Sequence, residues 1–471
     1  MLKSLTEPYV VGVASRIFGQ VISFVAVVVA SRYLGLDVFG TYTLAWAWVV
    51  IGNTLVFTGF YQALLRSKAF GRDRDTIFWL NAGVGLVSAL VIAAIGLISG
   101  GFGSVQGTTL IAMAPIPFLI TPAAWWEAQL VRDRRVRAAS LYVLAQEGAA
   151  LAATIVMLQS GYGLSALVVP RYVSVVVGFF LTGGLVRRAP RLRLRRIAAR
   201  DASKTALPLW GTSLIHNFQM YGTDIILGAF ANSAMVGAYR GGARISITAS
   251  DLVLQPLGII TWSRFTRIEK EDAGHEAMRK AWRENMGVAA AILWPLSATV
   301  AMLAEPLVEH VLDETWLPAA GVVVILTVSR AILFLDALLE PVLITTNRGR
   351  TLFWIRAFGS ASLLLLLLIF ARYGAEPAAW AHLASSVLAS VVGLYVMVRV
   401  LHLTLADAVS AFAPGLGITA AIAAAILLSA PAVAGLGGLW ALVAQLAAVS
   451  LTWAVVMAVF VRRRTLVLPT P

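Results

Sequence analysis

Fourteen stretches of about 20 mostly apolar residues fill most of this chain, and that pattern restricts the fold more than any single motif does. They run approximately over 10–32, 40–64, 77–99, 108–130, 139–158, 163–186, 207–230, 243–263, 286–308, 317–341, 351–371, 377–399, 409–429 and 437–461. A helix rising about 1.5 Å per residue needs that length to cross a hydrocarbon layer about 30 Å thick. The stretches are continuous apolar runs and not short segments of alternating polarity, so they predict helices and not a β-barrel. Composition agrees. Of 471 residues, 59% are hydrophobic and 13% charged, more apolar sequence than one soluble core can bury. The expected class is an all-α polytopic membrane protein with about 14 transmembrane helices.

The first stretch is long, is interrupted by Arg16 and is followed by no small-residue cleavage site, so it is expected to act as an uncleaved signal anchor. With no cysteine in the chain, disulfides, thiol catalysis and thiolate metal sites are excluded.

The formal net charge of +14 raises the question of nucleic acid, and its distribution answers it. With a cytoplasmic N-terminus, thirty of the 37 Lys and Arg residues fall on the cytoplasmic side of the fourteen-span arrangement. Four lie on the outer side (Arg32, Arg240, Arg244 and Arg372), and three lie within spans (Arg16, Arg171 and Arg330). Such loop asymmetry is the signature of membrane topology and of contact with anionic lipid headgroups, with no nucleic-acid partner. Both termini are expected in the cytoplasm, in a bacterial inner membrane. The densest basic run, Arg187 to Arg200, lies between the sixth and seventh spans.

The chain also repeats itself. Shifted by 197 positions, Gly40 falls on Gly237, Tyr42 on Tyr239 and Gln20 on Asn217, so FGTY (Phe39 to Tyr42) matches VGAY (Val236 to Tyr239). Shifted by 215, Arg135 falls on Arg350, Ala166 on Ala381 and Gly178 on Gly393; a longer loop after the eighth span absorbs the difference. Two parallel copies of six spans follow. The expected division is an N-terminal bundle over 1–186, a basic linker over 187–206, a second bundle over 207–400 and two additional spans over 401–471.

Polar groups inside apolar spans need a physical reason, because they are costly in lipid. Arg16 and Gln20 share a helical face by their four-residue spacing, as do Asp251 and Gln255. Gln146 and Glu147 lie in the fifth span, Arg171 in the sixth, and His216, Asn217, Gln219 and Asp224 in the seventh; Arg330, Asp336 and Glu340 lie in the tenth. The fourth span holds Pro115, Pro117 and Pro122, which predict kinks, and Glu127 near its end reads as a boundary carboxylate. The thirteenth and fourteenth spans carry no ionisable residue in their apolar cores and read as a lipid-facing appendage.

The stretch SRIFGQVISFVAVVVASRYLGLDVFGTYTLA (Ser15 to Ala45), the basic midpoint and TDIILGAFANSAMVGAYRGGARI (Thr223 to Ile245) resemble the polysaccharide-biosynthesis flippases. These are the O-antigen and teichuronic-acid types within the multidrug, oligosaccharidyl-lipid and polysaccharide exporter superfamily. The resemblance covers spans one to twelve especially. It implies two six-helix bundles about a pseudo-two-fold axis, here with two extra C-terminal helices, and a cavity open alternately to either side. The cargo it implies is a polyprenyl-diphosphate-linked oligosaccharide passed from the cytoplasmic to the outer leaflet, with membrane lipids and a polysaccharide polymerase or other assembly proteins as partners. No cofactor or metal is expected.

The polar residues fit that cargo. A diphosphate is anionic, and the planar guanidinium fork binds phosphate oxygens in pairs. Arg16, Arg171 and Arg330, with Gln20 and Asn217, are therefore the candidate substrate contacts; the structural alternative pairs the arginines with Glu147, Asp224, Asp251 or Asp336. The same four carboxylates are candidates for ion coupling, if export is linked to proton or sodium entry. A multidrug or cation antiporter of the superfamily shares the expected fold and is the alternative function. A membrane polymerase or ligase fits less well: outer connections are short, and no loop carries paired carboxylates, a metal-ligand cluster or a phosphate-cradling glycine run. An enzyme is not expected.

Overall fold

The computed structural model describes Ile22 and residues 24–271 and 274–467. Arg16, Gln20 and most of the first predicted span lie outside these residues. Most of the described chain is helical, with no strand among the described residues. The helices are α1 (Phe24–Tyr33), α2 (Leu36–Phe57), α3 (Gly59–Arg66), α4 (Phe70–Ile98), α5 (Val105–Met113), α6 (Ile116–Leu119), α7 (Thr121–Arg132), α8 (Val136–Gln159), α9 (Ser165–Val186) and α10 (Arg196–Phe230). They continue as α11 (Ser233–Lys270), α12 (Gly274–Met302), α13 (Ala304–Leu307), α14 (Ala320–Leu333), α15 (Leu339–Thr345), α16 (Gly349–Phe370), α17 (Ala375–Leu401), α18 (Leu405–Val433) and α19 (Gly438–Arg462).

Among the described residues, 12 helical segments are long and apolar enough to cross a membrane. The predicted span 207–230 lies in α10, 35 residues long, where His216, Asn217, Gln219 and Asp224 dilute the apolar content. The span over Val105–Arg132 is broken into α5, α6 and α7. Pro115, Pro117 and Pro122 cause the breaks: each lacks an N–H and crowds the carbonyl one turn back, so α6 and α7 restart with proline in their first turn.

The chain forms two compact units that divide after Gly237. In the first, Phe60, Leu64, Phe78, Trp125, Trp126 and Ala206 pack together where α3, α4, α7 and α10 meet. Gly59 leaves the space that the Trp210 ring fills, and the Trp210 indole donates to the Leu55 carbonyl at 2.9 Å. The start of α2 crosses the start of α11 at a paired notch. A Cβ on Gly40 would strike the Ser233 carbonyl, and one on Gly237 would strike the Leu36 carbonyl. Under the 197-residue shift, Leu36 corresponds to Ser233 and Gly40 to Gly237, so these close approaches within the first unit are reciprocal, as small residues allow helices in lipid to be.

In the second unit, Trp282, Met286, Leu293, Phe334, Leu339 and Val342 form the core between α12, the segment after α14, and α15. The additional helices α18 and α19 dock on α12. Gly415 approaches the Ala290 backbone, and the Trp453 indole donates to the Ala291 carbonyl at 3.0 Å. The cap of α18 is a reciprocal box between Thr404 and Asp407, and Arg279 of α12 donates to Asp407 at 2.7 Å. Large apolar side chains such as Leu90, Leu365, Leu428 and Leu451 remain exposed on the described helices. Surfaces this apolar suit lipid as their solvent.

Candidate functional site

Tyr42 and Trp46 lie one turn apart on α2, with rings nearly parallel at 10° and centroids 6.3 Å apart. Arg171, one residue past Pro170 on α9, places its guanidinium 4.2 Å from the Trp46 ring centroid. Its Nε donates to the Tyr42 hydroxyl at 2.8 Å, and its Nη1 lies 4.0 Å from Oε2 of Glu147 on α8. The cation is thus held by a phenol and an indole face from α2 and a carboxylate from α8, all in the first unit.

Arg330 on α14 is held in a parallel manner within the second unit. Its Nε donates to the Ser250 hydroxyl at 2.9 Å, and its Nη2 donates to Oδ1 of Asp251 on α11 at 2.7 Å. Gln255, one turn along α11, donates to the other Asp251 oxygen at 3.4 Å. Each arginine therefore directs Nε at a hydroxyl and a terminal nitrogen at a carboxylate. A guanidinium has five N–H donors, more than this bracing uses, so the same group can be oriented and still bind an anion.

The second unit also contains a broken helix. α14 stops at Leu333, residues Phe334–Asp336 form a 3-10 turn, and α15 begins at Leu339. The carbonyls released by the break find side-chain donors: Trp294 donates to Ala331 at 3.0 Å and Ser390 to Ile332 at 3.1 Å. Asp336 sits at this break, 4% exposed, and a Cβ on Gly393 of α17 would strike its Oδ1. That oxygen has no hydrogen-bond partner among the described residues.

The other predicted residues fall as follows. Asn217 on α10 is 4% exposed, donates to the Ser213 carbonyl at 2.8 Å and accepts from Thr54 at 3.3 Å. Asp224, two turns further along α10, is fully buried. The structure brings Arg171 to Glu147 and Arg330 to Asp251; Asn217, Asp224 and Asp336 stand outside those two ion pairs.

Two features escaped sequence reasoning. Glu127, read from the sequence as a boundary carboxylate, accepts hydrogen bonds from Tyr61, at 3.4 Å, and from Tyr142. Tyr239, the repeat equivalent of Tyr42, faces His382 on α17 with ring centroids 5.9 Å apart. α9 and α17 correspond under the 215-residue shift, so each motif tyrosine meets a basic side chain of the matching helix in its own unit. Among the described residues, no group of three or more His, Cys, Asp or Glu side chains could hold a metal ion.

Long apolar helices with broken, internally satisfied spans and large exposed apolar faces define a multi-pass membrane protein. Residues 28–321 match the model of a family described as "Polysaccharide biosynthesis protein", and the chain belongs to that family. It is 22% identical over 339 residues to the succinoglycan biosynthesis transport protein ExoT of Rhizobium meliloti (strain 1021), a match covering 71% of this chain and 67% of that one. Its fold is similar to an inward closed conformation of the lipid II flippase MurJ, with a TM-score of 0.76 at 12% identity over 96% of this chain and 98% of the other. It is also similar to an inward-facing multidrug resistance MATE family transporter of the MOP superfamily, with a TM-score of 0.66 at 14% identity over 81% and 94% of the two chains.

Proposed function

We propose that this protein moves a polyprenyl-diphosphate-linked oligosaccharide from the cytoplasmic to the outer leaflet of a bacterial inner membrane by alternating access. The observation that carries this reading is the bracing of Arg171 and Arg330, one in each unit, by a hydroxyl and a carboxylate. A guanidinium held in this way is pre-oriented for the oxygens of a diphosphate, and its carboxylate partner compensates the cation while no cargo is bound. Arg16, Gln20 and Asn217 would add contacts along the path. Family membership and the transport role in the name of ExoT support a sugar cargo over a cationic drug.

Coupling to proton or sodium entry would use Asp224, Asp251, Glu147 or Asp336. Of these, Asp336 has the most suitable placement, being buried at a helix break whose backbone is already satisfied. With both termini cytoplasmic, the cargo would then pass to a polymerase or other assembly protein on the outer side.

Lipid mass spectrometry of cells lacking the protein tests this reading. Accumulation of one polyprenyl-diphosphate oligosaccharide, relieved by the wild-type chain, supports it and identifies the cargo by mass. Unchanged lipid intermediates with new sensitivity to cationic dyes would establish the antiporter reading in its place.

A further inference from the structure

Between α9 and α10 the chain runs extended from Arg188 to Arg195, and it is tied to the first unit through its backbone. The Trp126 indole donates to the Arg188 carbonyl at 2.6 Å, the Trp79 indole to the Arg191 carbonyl at 3.0 Å and the Thr76 hydroxyl to the Arg193 carbonyl at 2.9 Å. The Arg195 amide donates back to Thr76 at 3.1 Å, and the Arg195 guanidinium pairs with Asp73 at 3.0 Å. Arg187, in the left-handed conformation with φ 51°, ends α9 and turns the chain into this strap.

Hydrogen bonding through its backbone edge leaves both faces of an extended segment open, because alternate side chains point to opposite faces. Leu192 and Leu194 are 80% and 69% exposed, and Ile197, at the start of α10, is 72% exposed. Arg187, Arg188, Arg191 and Arg193 are exposed along the same strap, Arg191 and Arg193 alternating with the leucines. The nearby Asp73 carboxylate is engaged by Arg195 and by Ser67. An order-giving set of backbone bonds thus displays fixed apolar side chains interleaved with cations, which is an expensive surface to leave in water.

We propose that this strap is a binding surface for anionic phospholipid headgroups, with Leu192, Leu194 and Ile197 entering the acyl boundary and the flanking arginines holding phosphates. Apolar tips with snorkelling guanidinium groups are the chemistry by which interfacial segments bind charged leaflets. Charge complementarity selects anionic over zwitterionic lipid, at about 1 kcal/mol or about fivefold per cation near the surface. The surface lies wholly in the first unit and does not depend on which cargo the protein carries.

The absence of cysteine makes the test direct, since Leu192→Cys can carry a single fluorophore in the full-length chain. The labelled protein is placed in nanodiscs containing spin-labelled phosphatidylglycerol or spin-labelled phosphatidylcholine. The expected result is about tenfold preferential quenching by the anionic lipid, lost in an Arg188→Gln, Arg191→Gln, Arg193→Gln variant and reduced by salt in the unsubstituted chain. Equal quenching by the two lipids overturns the proposal, as does a preference that neither salt nor the substitutions reduce. Absence of quenching by either lipid also overturns it, and points to an acidic protein partner at this surface.

Discussion

Arg330 donates from Nη2 to Oδ1 of Asp251 at 2.7 Å, joining two helices of the second unit across 79 residues of sequence. Both side chains keep about a fifth of their surface exposed, so the pair is neither a surface ornament nor a sealed core bridge. Its role is separable by mutation. If the pair only joins the helices, replacing both charges relieves the unpaired group that either single change leaves behind. The proposed cargo role predicts otherwise: Arg330→Gln and Asp251→Asn together should recover about 1–2 kcal/mol of the stability lost by Arg330→Gln alone, yet leave export defective. Thermal unfolding and an export assay on the single and double variants check this. Restored export in the double variant would make the arginine structural.

Arg171 carries a sharper geometric prediction. Lysine can keep a charge near Glu147, but it lacks the planar face that lies over Trp46 and the Nε–H given to Tyr42. Arg171→Lys should therefore lose most export at wild-type expression, and Trp46→Leu should cost about 1 kcal/mol of stability through the lost cation–π contact. Full activity of Arg171→Lys would show that charge alone suffices.

Asp336→Asn keeps the shape of the side chain at the helix break and removes its ability to carry a charge. The expected outcome is a folded protein whose export no longer responds to a proton or sodium gradient. Export measured in vesicles with imposed gradients reads this out, and an unaltered gradient response would remove Asp336 from coupling. Gly393→Ala, which pushes a methyl onto the Asp336 carboxylate, should impair the same response without changing any charge.

The reciprocal notch between α2 and α11 predicts opposite signs for two chemically identical changes. Gly40→Ala drives a methyl into the Ser233 carbonyl and should destabilise by about 1–3 kcal/mol. Gly211→Ala, where nothing lies within 4 Å, should be neutral or stabilising by up to about 1 kcal/mol through helix propensity. Thermal unfolding in detergent distinguishes them, and equal responses would contradict the close approach.

The difference between what the sequence discloses and what it conceals follows from the physics of lipid. Apolar length is imposed on every span by the bilayer, so helical class, most span positions and the proline breaks at Pro115, Pro117 and Pro122 are readable directly. Arg171 and Arg330 are conspicuous because cations are rare in such runs. Their partners are less legible: Arg330 has several carboxylates within the same copy of the repeat, and only tertiary packing selects Asp251. The 3-10 turn at Phe334–Asp336 precedes Pro341 in the first turn of α15, but the donors that satisfy the carbonyls at the break, Trp294 and Ser390, come from other helices and are not legible locally. The strap over Arg188 to Arg195 is similarly concealed, because its ties use backbone carbonyls that every residue possesses.

The most direct measurement is flipping by the purified protein in liposomes, using a fluorescent polyprenyl-diphosphate oligosaccharide and a reductant that bleaches only the outer leaflet. Wild type is expected to expose the inner pool to bleaching well above protein-free liposomes, while Arg171→Ala and Arg330→Ala, reconstituted at equal amounts, do not. Wild-type protein that matches empty liposomes while moving a cationic dye, or alanine variants that flip as fast as wild type, would contradict this expectation.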